Sequence, residues 1–374
     1  MATSDIDVSL LPVPAQKALA PEAPVPLRTM AARGVLPGLK PGDIVTVVAA
    51  LCASDDAKIA ETARTTLEKL PSQVLAGALT TDLPGSVIER LVDARPREHD
   101  MVLAVLKMPR ITTAALETLA NKADEHVGEI IATNEELMLK HPTVIEKLYL
   151  NKSVRMSTAD RLIELAVRNG IELAIPAFKE AAAAIMNELI PEPSAEPTFD
   201  DVHFKEVDEL AQKVTLAENE DTHEVDDEGE EKVKAAVLPL HAQLAAASVS
   251  EKIRRATLGT AAERLILVRD PNRLVAAAAA KSPGMKENEA VQISASRAVS
   301  DEVLRIIAMN RELSRSYQVK FNLITNPRTP FAFASRLVQF LRDADLRSLS
   351  RSKNVSAAVQ QLVQQTLSRK QKAG

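Results

Sequence analysis

Arginine is the residue type best suited to chemistry in this chain, and it recurs through the predicted helices after residue 232. Its planar guanidinium donates hydrogen bonds in a fixed fork that matches the oxygens of a carboxylate or a phosphate. If the helices repeat in space, regularly spaced arginines align along one face and can follow an anionic partner. The ten arginines that we predict to bind an anion are Arg254, Arg255, Arg297, Arg305, Arg311, Arg315, Arg336, Arg342, Arg347 and Arg351.

An ordinary solvated helix surface also explains such arginines. Asp301 and Arg305, for example, stand four residues apart, which is the spacing of an ion pair within one helix. The sequence alone leaves both interpretations open.

Other site chemistry is not indicated. The six histidines have no paired spacing on one helix face, and no Cys-x-x-Cys occurs, so a zinc site is not expected. No glycine-rich phosphate loop and no Gly-x-Ser-x-Gly nucleophile motif is present. We therefore predict a protein that is not an enzyme, with no metal, cofactor or evident small-molecule substrate.

The charges of the chain are segregated along the sequence. Residues 191–231 hold sixteen Asp and Glu against two Lys, a net charge of −14, and residues 232–374 hold twenty-four Lys and Arg against ten Asp and Glu, a net charge of +14. The basic block predicts an acidic partner, either a segment of another protein or the chain's own acidic linker. Because a tethered segment has a high effective concentration, we expect removal of residues 196–231 to tighten the binding of polyanions.

Nucleic acid is the alternative partner of the basic block. Phosphate binding by Arg and Lys would lose affinity steeply with salt. Base stacking is weakly supported, because the aromatic side chains of this region are only Tyr317, Phe321, Phe331, Phe333 and Phe340. A base-excision enzyme is disfavoured for the same reason.

The composition indicates an all-α fold. The chain is 46% apolar but only 2% aromatic, with eleven Gly in 374 residues, which suits closely packed helices better than β-sandwiches. No apolar run is long enough for a membrane span and no signal peptide is recognisable. A single cysteine, Cys52, excludes an internal disulfide and favours a reducing compartment, so we expect a cytoplasmic protein.

The same patterns predict four regions. Residues 1–40 are rich in Pro and Ala and are expected to form a disordered arm, because prolines interrupt helices. Residues 41–190 and 232–370 are expected to be two arrays of short helices. The acidic residues 191–231 are expected to be a mostly disordered linker, in which His203, Val207, Leu210 and Val214 have the spacing of one short helix.

The two arrays resemble each other. Residues 127–137 align with residues 303–313 at an offset of 176, with seven of eleven positions identical. The alignment continues at an offset of 175, where Asn151 matches Asn326 and Arg161 matches Arg336. We interpret this as an internal duplication. The second copy changes the surface charge, since Glu129 in the first copy corresponds to Arg305 in the second.

The short paired helices, with boundary phrases such as residues 324–330, resemble HEAT-like and leucine-rich-repeat-variant helical repeat proteins, including uncharacterised bacterial members. The resemblance covers about residues 41–190 and 232–370. It implies an all-α, right-handed-type α-solenoid of short helices in two related halves joined by an acidic linker. It further implies a scaffold that binds other proteins, and it transfers no catalytic residue.

Overall fold

The computed structural model describes residues 6–187, 196–216, 220–226, 229–352 and 355–373. The chain is mostly helical, with a single two-stranded hairpin in these ranges, which confirms the all-α prediction. It divides into two compact units, Met1–Leu173 and Ala174–Gly374. Each helix described is too short or too polar to cross a lipid bilayer.

The described part of the first unit contains one short 3-10 helix, Val8–Leu10, and twelve α-helices. They are α1 (Val13–Leu19), α2 (Val25–Ala32), α3 (Pro41–Leu51), α4 (Ala57–Glu68), α5 (Ser72–Leu79), α6 (Gly85–Ala94), α7 (His99–Val105), α8 (Thr113–Lys122), α9 (Glu125–Ala132), α10 (Glu135–Lys140), α11 (Pro142–Leu150) and α12 (Met156–Arg168). Each contributes one apolar stripe, and α8 packs between α6 and α11.

The second unit carries the remaining elements. They are α13 (Phe178–Ile185), α14 (Phe199–Lys213), β1 (His223–Val225), β2 (Glu231–Val233), α15 (Leu238–Ala246), α16 (Val249–Leu258), α17 (Ala261–Leu267), α18 (Arg273–Ala280), α19 (Glu287–Ala295), α20 (Asp301–Met309), α21 (Tyr317–Thr325), α22 (Phe331–Val338), α23 (Asp343–Leu349) and α24 (Ala357–Ala373). Strands β1 and β2 pair antiparallel, with Val225 opposite Glu231. Helix α13 belongs to this unit, although the sequence assigned it to the first array, because Ala181 and Ala184 join the core of the second unit.

The N-terminal residues differ from the predicted disordered arm. Helices α1 and α2 pack on each other and on α3, and they bury Ala15, Ala18, Ala31 and Ala32. The prolines do not prevent this, because Pro occupies only the first turn of each helix. A first-turn residue has no intrahelical N–H partner to lose.

The acidic segment also differs from a mostly disordered linker. Helix α14 begins with a capping box between Thr198 and Asp201 and buries Phe204, Val207 and Ala211. The short helix expected at this position is therefore confirmed. High negative charge did not prevent folding, because the acids lie mainly on the outer face of α14 while its apolar stripe packs into the core of the second unit. Residues 188–195, 217–219 and 227–228 of the predicted linker lie outside the described ranges.

The aligned asparagines make matching hydrogen bonds in the two units. Asn151 Nδ2 donates to two backbone carbonyls at the C-terminal end of α8, each at 2.9 Å. Asn326 Nδ2 donates to two carbonyls at the end of α19, at 2.9 and 2.7 Å. Each Oδ1 accepts the backbone N–H two residues later, at 2.9 and 3.0 Å. The side chain thus satisfies carbonyls that a helix end leaves unpaired.

We expect Asn326→Ala to lower the free energy of unfolding of the second unit by about 1–3 kcal/mol, because it leaves buried carbonyls without donors. Urea unfolding followed by circular dichroism measures the loss, and hydrogen exchange identifies the unit that opens. Asn151→Ala is the matched change and should produce a similar loss in the first unit. Changes below about 0.5 kcal/mol in both variants would contradict the capping role.

Candidate anion-binding site

Most of the ten arginines predicted to bind an anion are on the surface of the second unit. Seven are exposed: Arg297, Arg311, Arg315, Arg336, Arg342, Arg347 and Arg351. Among the described residues none of these seven has an acidic side chain within ion-pair distance. The Arg342 guanidinium lies over the Tyr317 ring, 4.7 Å from its centroid. These seven arginines, which we call the exposed arginine set, are free to meet an external anion.

Arg305 is partly exposed, and it forms an ion pair with Glu302 one turn earlier in α20. This pair replaces the Asp301–Arg305 pair considered from the sequence. The neighbouring arginine lowers the pKa of Glu302 through a hydrogen bond, so the carboxylate remains ionised at neutral pH. A partner's anion would therefore have to compete with Glu302 for the Arg305 guanidinium.

Arg254 and Arg255 do not belong to the surface, contrary to the prediction. Arg254 is 0% and Arg255 is 1% exposed, and both guanidinium groups lie over the Phe204 ring. Arg255 donates from Nε to Glu251 at 3.0 Å and from Nη1 to Glu263 at 2.9 Å. Buried cations need such partners because desolvation is costly. The i,i+4 spacing of Glu251 and Arg255 in the sequence allows this ion pair, but spacing alone does not indicate that the pair is buried.

The buried charges continue beyond Arg255. His203 Nδ1 from α14 contacts Glu251 at 2.9 Å, so a residue of the acidic segment joins these buried charges. Nearby, Arg264 binds Glu289 through two parallel bonds of 2.8 Å. We call these residues, with Arg255 and Glu263, the buried charge cluster. It holds α14, α16, α17 and α19 together and offers no free cation to a ligand.

The hairpin β1–β2 places two acids on the basic part of the unit. Asp221 accepts a hydrogen bond from Arg269 Nη2 at 2.8 Å, and Glu231 accepts one from Arg269 Nε at 3.0 Å. The third guanidinium nitrogen donates to the carbonyl of Leu265 at 2.6 Å, which fixes the fork. The side chain of Arg269 is 7% exposed. Arg269 is not among the ten arginines that the sequence predicted to bind an anion.

The turn between α19 and α20 supplies further donors to Glu231. Its carboxylate accepts from Ser296 Oγ at 2.7 and 2.8 Å, from the backbone N–H of Arg297 at 2.9 Å and from that of Ala298 at 3.3 Å. Burial alone would raise the pKa of Glu231, but the Ser296 hydroxyl and the Arg269 charge hold it below its usual value. We call Arg269, Ser296 and these two N–H groups the carboxylate seat.

Two cavities flank the carboxylate seat, and both are lined by His223 and Arg269. One, of about 250 Å³, also contacts Asp221, Glu231 and Gln292. The other, of about 340 Å³, extends to His241, Lys252 and Asp270, where Lys252 and Asp270 pair at 3.3 Å. There is thus room beside the hairpin for a small group.

The seating of the hairpin should weaken in acid. Burial and the Arg269 charge lower the pKa of His223 to about 4, and the nearby His241 acts in the same direction, against the opposing effect of Asp221 and Glu231. A released hairpin would bind a proton on His223 near its usual pKa of about 6.5, so seating is complete above that value and is lost as the pH falls toward 4. Glu231, whose pKa is lowered by seating, adds a loss in the same direction below about 4.5.

Proton NMR of the histidine rings measures this coupling. We expect His223 to titrate near pH 4 in the native chain and near 6.5 in an Asp221→Asn/Glu231→Gln variant, whose hairpin is no longer held. A native titration near 6.5 would show that His223 does not occupy the seated position.

Other kinds of site are not formed by the described residues. Within those ranges, no group of three or more His, Cys, Asp and Glu side chains could hold a metal ion. Cys52 is 2% exposed, and burial raises the pKa of its thiol, so it packs as a small apolar residue. At the carboxylate seat, charged and polar donors of the second unit converge on the Glu231 carboxylate, as they would on a bound anion.

Comparison with known proteins returned no match of the chain to a family model, a curated protein or a solved structure. The residues of the chain itself therefore provide the basis for a functional assignment.

Proposed function

We propose that this chain is a non-enzymatic interaction scaffold whose second unit binds an acidic segment of another protein. The observation that carries the proposal is the position of the chain's own acidic hairpin, whose Asp221 and Glu231 carboxylates lie on Arg269 and the adjoining turn. A surface that binds two carboxylates of its own chain has the chemistry to bind those of a partner. The hairpin then masks part of this surface until a competitor arrives.

The charge distribution supports the same proposal. Among the described residues the exposed arginine set forms no ion pair, whereas Arg255 and Arg264 in the interior are both paired with carboxylates. Unpaired surface cations of one sign accelerate encounter with an acidic partner and raise its local concentration.

We further propose that the helices form an α-solenoid of two related halves, as in HEAT-like proteins. The matching hydrogen bonds of Asn151 and Asn326 support this, as does the order of packing, because α8 contacts α11 as its counterpart α19 contacts α21. In a solenoid each short helix needs its neighbours to cover its apolar stripe, and the exposed face is the binding surface.

Charge reversal tests the role of the exposed arginine set. We expect Arg311→Glu/Arg315→Glu/Arg336→Glu to weaken binding of a labelled polyglutamate peptide at least about tenfold and to flatten its salt dependence, because three cations become anions. Fluorescence anisotropy at two salt concentrations measures both effects. These three positions are chosen because they make no contact with Glu231.

The matched control reverses three exposed arginines of the first unit, Arg33, Arg64 and Arg97. It changes the net charge equally and should leave peptide binding nearly unchanged. Equal losses in the two triple variants would indicate non-specific attraction and contradict the proposal.

Nucleic acid remains the alternative ligand of the same arginines. It is less favoured because the group seated on Arg269 is a carboxylate, and because the second unit offers few aromatic side chains for stacking. An electrophoretic shift of duplex DNA by the full chain, repeated at two salt concentrations, distinguishes the two partners. A shift at physiological salt with no peptide binding would favour nucleic acid.

A further inference from the structure

We propose that the carboxylate seat is an exchangeable binding site for an acidic side chain of the partner, and that Glu231 is its resident stand-in. The inference rests on the proposed function and identifies where in the second unit the partner's acidic segment is recognised. Its ligand class is an acidic peptide with two or more carboxylates. The charged residues that define it are Arg269 in the seat and, on the hairpin, Asp221 and Glu231.

The carboxylate seat is built for an anion. Three kinds of donor, a guanidinium, a hydroxyl and two backbone N–H groups, converge on both oxygens of Glu231 at distances from 2.7 to 3.3 Å. Successive backbone N–H groups in a turn form an anion-binding concavity, and a buried arginine adds a full charge in a low-dielectric setting. The Glu231 carboxylate receives hydrogen bonds from four groups, which fills the acceptor sites of its two oxygens.

In the described part of the first unit, the position aligned with Arg269 does not form an equivalent site. Arg95, which follows α6 as Arg269 follows α17, donates to the carbonyls of Leu67 and Leu70, each at 2.8 Å, and to Glu98. All three nitrogens of its guanidinium therefore donate to groups of its own unit. In the second unit the corresponding edges of Arg269 face the hairpin instead. Arg95 thus binds one carboxylate, of Glu98, whereas Arg269 binds two, of Asp221 and Glu231.

The hairpin is suited to leave the seat. Each strand has three residues, and a two-stranded hairpin of this size is marginally stable by itself. Val225 is 68% exposed, so β1 contributes little apolar burial. Since the Asp226–Lys232 pair lies within the hairpin, displacement from the seat leaves that pair intact. The attachment combines the Asp221 and Glu231 contacts with the packing of Val233 against the core and the burial of Thr222.

The geometry also selects the ligand. Arg269 presents two donating edges, Nε and Nη2, and each holds a separate carboxylate. Gln292 lines the adjoining cavity, and its Oε1 is buried and accepts no hydrogen bond from the described residues. An acidic peptide can bind all three groups. Two of its carboxylates accept from Arg269 Nε and Nη2, and a backbone N–H donates to Gln292 Oε1. A phosphodiester has no N–H donor for this oxygen.

The test uses the full chain and a synthetic peptide copying residues 220–234 of the same chain. We expect the Asp221→Asn/Glu231→Gln chain, in which the resident carboxylates are neutralised, to bind this peptide at least about tenfold more tightly than the native chain does. Adding Arg269→Gln to that background should abolish the gain, and Arg269→Lys should recover little because it lacks the fork. Circular dichroism confirms that each variant is folded.

The outcomes separate this site from the exposed arginine set. A peptide with Asn and Gln at positions 221 and 231 should not discriminate between the native chain and the neutralised variant.

Equal affinity of the native peptide for both chains would overturn the inference, even if polyglutamate still binds through the exposed arginines. Peptide binding that depends on Arg269 but not on Arg311, Arg315 and Arg336 would uphold the seat and refute the wider surface. A neutralised variant that gains affinity for duplex DNA but not for the peptide would also overturn it.

Discussion

Replacement of Val207 by Asp in α14 should unfold the second unit at urea concentrations that leave the native chain folded. Val207 is 0% exposed and packs in the same core as Ala181 and Ala256. The substitution buries a carboxylate in the apolar core of the second unit, so we expect the free energy of unfolding to fall by about 4 kcal/mol or more. Urea titration followed by circular dichroism measures the shift of the midpoint.

The matched control is the same substitution on the exposed face of the same helix. Val202 is 46% exposed, and Val202→Asp should change the free energy of unfolding by less than about 0.5 kcal/mol. Equal midpoints for the two variants would show that α14 is a tether after all.

This result also bears on how masking can be tested. Deleting residues 196–231 was expected from the sequence to free the basic surface. Because that segment contains α14, deletion would remove part of the core and of the buried charge cluster. Neutralising Asp221 and Glu231 removes the masking group and keeps the core.

Replacement of Arg255 by Met should have a comparably large effect. Arg255 lies between Glu251 and Glu263, both 0% exposed, and its loss leaves two buried carboxylates without their cation. Breaking a buried ion pair from one side costs about 3–5 kcal/mol, and we expect a loss in that range. Thermal and urea unfolding of the full chain measure it.

Two further variants identify the cause of that loss. Arg347→Met, an exposed arginine on α23, should be nearly neutral. Adding Glu263→Gln to Arg255→Met should recover part of the stability, since it removes one unpaired carboxylate and keeps an oxygen for the Thr260 N–H that Glu263 caps. Additive losses in the double variant would mean that the pair is not energetically coupled.

Much of the fold was predictable from local patterns. The composition predicted helices because the chain has few aromatic residues for a sheet core and few glycines for hairpin turns. Such a sequence packs best as short amphipathic helices. Asn151 and Asn326 were aligned from the sequence, and both make the same hydrogen bonds to carbonyls at the end of a neighbouring helix. Helix periodicity could be predicted because it depends on neighbours within a few residues. The carbonyl partners of Asn151 could not, because they lie 28 and 31 residues earlier in the chain.

The treatment of charge shows where local patterns fail. A net charge of −14 predicted disorder, yet the acidic segment includes α14, whose apolar stripe is covered by other helices of the second unit. Two adjacent arginines, Arg254 and Arg255, suggested an exposed anion site, yet both lie in the interior. Arg269 was one of many basic residues in the sequence, because its partners Asp221 and Glu231 are 48 and 38 residues away.

The sequence by itself determined the helical character, the opposite charges of two successive segments and the similarity between two stretches of the chain. Only the tertiary structure decided which charged side chains form ion pairs inside the protein and which remain exposed to a partner. The physical reason is that the availability of an arginine depends on burial and on acids brought near it from distant positions. Long-range packing sets both quantities, and for Arg269 it placed two of the chain's own carboxylates on the guanidinium.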